Sequence, residues 1–196
     1  IVNNLMFVFN LCVFGAVSGA GIFTAQFHGS GDRKGVRNTF RFKILICLIL
    51  SAAGIGIFLG AGTPLIRLYL QGEGDAADAA AVLEHGLGYL KVMLIGLLPF
   101  ALCNAYSSTL RETGETVVPM IGGISAVLVN LVLNYVLIFG HFGAPAMGVQ
   151  GAALATVISR FVELIIVGGW VHRHADRNPY IRGVYRSVHI PAALLK

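Results

Sequence analysis

Two asparagines four residues apart in an apolar run, Asn130 and Asn134 in PMIGGISAVLVNLVLNYVLIFG (119–140), are the side chains whose type and spacing suggest chemistry first. On a helix that spacing puts both amides on one face, one above the other. Their carbonyl oxygens are hard ligands for a small cation such as Na⁺. The same amides also serve as interhelical hydrogen-bond glue, worth about 0.6 kcal/mol each in a membrane. Neither titrates, so these two residues alone carry no proton cycle. Thr156 adds a hydroxyl in the next apolar run, where a threonine often bonds back to its own helix carbonyl. Arg160 and Glu163 are spaced i, i+3, close enough to pair, and an ion pair inside an apolar span is either a structural clamp or a functional group. Asn104, Ser107 and Ser108 lie near the end of another run, with Asn104 and Ser108 on one face, where they line a cavity or ease a kink at Pro99.

These residues need a scaffold, and composition names its class. Hydrophobic residues make up 56% and charged residues 12% of the 196-residue chain, against about 25% charged in soluble domains. The chain is therefore read as an all-α integral membrane protein. It opens inside an apolar segment, IVNNLMFVFNLCVF, without an initiator Met, and is read as a fragment of a longer protein. Five spans are expected: Ile1–Phe27, about Phe42–Gly62 ended or kinked by Pro64, about Leu87–Leu110 kinked at Pro99, Val117–Phe139, and Val149–Val171. Val117–Phe139 as one helix is about 34 Å long, enough to cross a hydrocarbon core of about 30 Å. Gly122, Gly123 and Ala126 continue the Asn stripe and admit a close neighbour, while Ile124, Leu128, Leu131 and Tyr135 point elsewhere. The short stretch 140–148 makes the fourth and fifth spans antiparallel neighbours. The fifth offers two small-residue stripes for packing, Gly148/Ala152/Thr156 and Gly151/Ala155/Ser159.

Charge sets the orientation. Arg33, Lys34, Arg37, Arg41 and Lys43 follow the first span against Asp32 alone, and Arg173, Arg177, Arg182 and Arg186 follow the fifth against Asp176. The stretch after the second span is acidic, with Glu73, Asp75, Asp78 and Glu84 against Arg67. With Arg111 in the turn between the third and fourth spans, ten of the Lys and Arg residues thus fall on one side and one on the other, which places the basic side in the cytoplasm. The net charge of +5 lies in patches between spans and is no nucleic-acid footprint. Cys12, Cys47 and Cys103 sit singly, without metal-like spacing. The histidines lack HExxH spacing, and no apolar run holds a Ser/His/Asp set or paired carboxylates, so an enzyme is not expected.

The run Tyr89-Leu90-Lys91, Gly96, Pro99, Asn104, Ser107-Ser108-x-Leu110-Arg111-x-x-Gly114-x-Thr116-x-x-Pro119-Met120 carries a resemblance, as do Asn130-x-x-x-Asn134-Tyr135 and Gly148-x-x-Gly151-Ala152-Ala153-x-Ala155-Thr156. Together with Ala25-Gln26-x-x-Gly29-x-Gly31-Asp32, the sequence resembles the multidrug and toxic-compound extrusion (MATE) transporters over essentially its whole length. The resemblance implies helices two to six of a twelve-helix, two-lobe protein. Residues 1–172 would be part of the amino-terminal lobe, 173–187 a basic cytoplasmic loop between lobes, and 188–196 the start of helix seven. It implies a multi-pass protein of the cell membrane that exports small organic, often cationic, compounds by Na⁺- or H⁺-coupled antiport, with no cofactor beyond the coupling ion. Its partners would be membrane lipid and the remainder of the same protein, namely helix one and the second lobe. In the family an amino-lobe cation site uses a helix-one Asp, two helix-five residues and a helix-six Thr, which map onto Asn130, Asn134 and Thr156. Some members carry Asp where this chain has Asn134, which takes a titratable group from this face. Two alternatives stand beside this reading. One is a lipid-linked oligosaccharide flippase of the same superfamily, for which only Arg160 offers an intramembrane base; the other is a non-transporting membrane scaffold.

Overall fold

A computed structural model of the chain describes residues 2–70 and 76–186. Five long helices account for most of them: α1 (Val2–Gly29), α2 (Arg33–Leu70), α3 (Ala76–Glu112), α4 (Val117–Phe139) and α5 (Gly148–Arg173). Each is long and apolar enough to cross a membrane, and no strand occurs among the described residues. The turns at 30–32, 113–116 and 140–147 are short, so the helices run up and down as a bundle. Val13, Val17, Phe40, Cys47, Leu97, Ala101 and Leu110 form a core where α1, α2 and α3 meet. Phe7, Leu11 and Phe14 on α1 and Ile124, Leu128, Leu131 and Tyr135 on α4 point outward.

Only α4 has the bounds expected of it. Its end is set locally: Gly140 takes φ +74°, donates its N–H to Val136 O at 3.0 Å, and has Ala146 N 2.9 Å from where a Cβ would stand, so glycine alone fits. The other helices outrun their apolar runs. α2 starts at Arg33, because the Asp32 carboxylate caps it by accepting the Lys34 and Gly35 N–H groups, both at 3.0 Å. Arg33, Lys34, Arg37, Arg41 and Lys43 therefore lie on helix rather than in the expected loop. At its far end α2 continues through Pro64 to Leu70. A proline forfeits one backbone bond, but burial of Ile66, one turn's half beyond it, and the close approach of Gly62 to Leu90 of α3 hold the helix together. α3 likewise continues through Pro99 and extends past the expected ends at both termini. Of the acidic stretch, Glu73 and Asp75 lie outside the described residues, and Asp78 and Glu84 belong to α3.

The basic segment after α5, expected as a loop over 173–187, folds back onto the bundle as far as it is described. It makes single 3₁₀ turns at Pro179–Ile181 and Val184–Arg186, and Tyr180, Ile181 and Val184 are buried. Arg41 of α2 fastens it by donating from Nε to Val184 O at 2.7 Å and from Nη2 to Gly183 O at 2.6 Å. The Tyr180 ring stands edge-on to Phe40, with centroids 5.5 Å apart. The expected start of a further helix at 188–196, and His189 with it, lies outside the described residues.

Candidate cation site

α4 and α5 run antiparallel in a register that three close approaches define. Gly122 meets Val167 and Glu163 near the basic end, Asn130 meets Thr156 in the middle, and Leu137 meets Gly151 near the opposite end. A Cβ on Gly122 would stand 2.7 Å from Val167 Cγ2, and one on Gly151 would stand 2.6 Å from the Leu137 carbonyl oxygen. Small residues thus let the two backbones close to a distance at which short polar side chains reach one another. α5 has α3 on its other side, where Gly96 comes within 3.1 Å of Val157 by the same measure. That double packing buries Gly151, Ala153, Ala155, Val157 and Ser159 together.

In this register Asn130, Asn134 and Thr156 form one hydrogen-bonded row. Asn134 Nδ2 donates to Asn130 Oδ1 at 3.0 Å, and Asn130 Nδ2 donates to Thr156 Oγ1 at 3.3 Å. The Thr156 hydroxyl donates to Ala152 O at 3.0 Å, so it makes the backbone bond expected of a membrane threonine and still accepts from Asn130. Asn134 Oδ1 ends the row, buried and without a hydrogen-bond donor among the described residues. A buried acceptor of that kind is costly unless something electropositive meets it. An amide oxygen at the end of a row that also holds a second amide and a hydroxyl belongs to a hard-oxygen set, suited to Na⁺ rather than to a transition metal. Among the described residues no group of three His, Cys, Asp or Glu side chains comes together.

Arg160 and Glu163 do pair, Nη1 to Oε2 at 3.3 Å, with the guanidinium carbon 5.0 Å from the centroid of the Phe100 ring. A small cavity of about 40 Å³ brings Arg160 and Thr156 together with Asn10 of α1 and Phe100 of α3. Two larger recesses, about 1030 Å³ and about 520 Å³, open at opposite ends of the bundle, and neither reaches the Asn row. Asn104 stands apart from the row: its amide donates to Phe100 O at 2.9 Å, one turn back on its own helix. Ser108 belongs to a different cluster, one that counting charges by loop overlooks. Lys43 of α2, 0% exposed, is ion-paired with Glu112 at the end of α3 and bonds Ser108 Oγ at 2.9 Å and Thr109 Oγ1 at 3.4 Å. The signal was present in sequence as the last basic residue before one apolar run and the first acid after another.

A bundle of five helices, each long and apolar enough to cross a membrane, that holds amides and a hydroxyl between two close-packed helices is the architecture of a multi-pass membrane protein. It matches the solved inward-facing conformation of a multidrug resistance MATE family transporter of the MOP superfamily with a TM-score of 0.73, over 93% of this chain and 42% of that one, at 21% identity. The chain belongs to the MatE family, whose sequence model matches residues 1–136. Its relatives include a probable multidrug resistance protein NorM of Thermotoga maritima, 35% identical over 82% of this chain and 33% of the relative. They also include the multidrug resistance protein PmpM of Pseudomonas aeruginosa, 27% identical over 87% of this chain and 34% of the relative. The chain thus spans about a third of the length of the curated relatives it matches.

Proposed function

We propose that this chain supplies most of the amino-terminal lobe of a cation-coupled antiporter that exports organic, often cationic, compounds across the cell membrane by alternating access. In this reading residues 1–172 are helices two to six of a twelve-helix plan, 173–187 link the lobes, and 188–196 begin helix seven. Helix one and a second lobe complete the transporter. Family membership and the multidrug resistance relatives support efflux. The observation that carries the cation is the row Asn134–Asn130–Thr156, whose Asn134 oxygen has no hydrogen-bond donor among the described residues. A flippase for a lipid pyrophosphate would want free basic groups in the membrane, and Arg160 is engaged with Glu163 and Phe100.

The test is Asn134→Ala in the full-length transporter. Na⁺-dependent efflux from vesicles falls at limiting Na⁺ while insertion is kept, because the change removes a cation ligand but only about 0.6 kcal/mol of interhelical bonding. Efflux equal to the parent's at limiting Na⁺ would reduce the amide to packing glue. Orientation has its own check. Cysteines at Lys34 and Arg177, both exposed at the basic end, label from the cytoplasmic side only, and one at Phe142, 91% exposed in the turn between α4 and α5, labels from outside only. Labelling of Phe142→Cys and Arg177→Cys from the same side contradicts the five-span arrangement.

A further inference from the structure

We propose that Arg160 sets how tightly the candidate cation site holds its ion, with Glu163 as the counter-charge that limits its repulsion. The inference rests on reading Asn130, Asn134 and Thr156 as that site. Thr156 and Arg160 are four residues apart on α5, one turn and about 6 Å of rise, on the same face. Both line the small cavity that Asn10 and Phe100 close. Glu163 is seven residues from Thr156, about 10 Å of rise, and packs against Gly122 of α4.

A bound cation would therefore lie nearer the guanidinium than the carboxylate, and the pair does not cancel at the site. The pair is also loosely neutralised: its one hydrogen bond is 3.3 Å long, and Arg160 is 37% exposed against 18% for Glu163. The Phe100 ring face holds the guanidinium where it is, since a cation over an aromatic ring is attracted to it. A coupling ion must enter the site and leave it in every cycle, so affinity has to be bounded from above as well as below. A fixed positive charge one turn beyond the Thr156 end of the row supplies that upper bound without touching the ion.

Half-saturating Na⁺ for efflux, measured in vesicles with the full-length transporter, separates this role from a structural one. Arg160→Gln lowers the half-saturating concentration by about tenfold to about a hundredfold, the effect of removing one unit charge about 12 Å away (the level of Asn134) to about 6 Å away (the level of Thr156) in an effective dielectric of about 20. Glu163→Gln raises it, Arg160→Lys leaves it near the parent value, and the double change Arg160→Gln with Glu163→Gln falls between the two single ones. The lysine and double variants keep the test informative if Glu163→Gln, which strands a charge, fails to insert. A mere clamp predicts instead that both single changes lower the maximal rate and leave the Na⁺ dependence unmoved. Na⁺-dependent efflux that Asn134→Ala weakens but Arg160→Gln does not shift overturns this inference alone, whereas parent efflux independent of Na⁺ overturns the site it rests on.

Discussion

Lys43→Met alone destabilises the protein by about 3–5 kcal/mol, the usual cost of removing one partner from a buried ion pair, while Lys43→Met together with Glu112→Leu recovers most of that loss. The reason lies in what is left behind. With Lys43 gone, the Glu112 carboxylate stays at the junction of three helices, 16% exposed and pressed against Gly21 of α1, where a Cβ would stand 2.3 Å from Glu112 Oε1. Ser108 and Thr109 still donate their hydroxyls to Ala105 O, at 3.4 and 2.9 Å, but neither carries a charge to meet the carboxylate. Removing both charges trades an expensive pair for apolar contact, which is often neutral or better. Unfolding of the detergent-solubilised protein, followed through the loss of helical circular dichroism, reads the difference. A single variant as stable as the parent would mean that water reaches Lys43, contrary to its full burial.

Gly151→Ala costs about 1–3 kcal/mol and Gly123→Ala does not, although both glycines lie on the small-residue stripes of the α4 and α5 pair. At Gly151 the added methyl would meet the backbone of Leu137, 2.6 Å from its oxygen and 2.8 Å from its carbon, and backbone yields only if the helix moves. At Gly123 nothing lies within 4 Å, so alanine there gains helix propensity, up to about 1 kcal/mol, at no steric cost. Displacing α5 also stretches the Asn130–Thr156 bond, already 3.3 Å, beyond hydrogen-bonding range. Efflux by Gly151→Ala should fall with its stability, and both should hold in Gly123→Ala. Equal behaviour of the two variants would show that the helices do not approach as closely at Leu137 as the register requires.

The sequence by itself determined the class, the number of spans and the pairing of the last two. Apolar runs of membrane length leave little choice, because in hydrocarbon the backbone must satisfy its own hydrogen bonds. It also placed Asn130 and Asn134 together, since two residues four apart on one helix meet whatever surrounds them. Helix ends were less legible. Hydropathy marks the thickness of the bilayer, whereas α2 and α3 continue into polar sequence through a cap at Asp32 and through packing at Ile66 that no local pattern announces. Only the tertiary structure brought Thr156 to Asn130, left Asn134 Oδ1 without a donor among the described residues, turned Asn104 back on its own helix and joined Lys43 to Glu112 across 69 residues. Those contacts depend on how closely Gly122 and Gly151 let α4 meet α5 and on the height at which α2 passes α3, and both are settled by packing between helices rather than by spacing along any one of them.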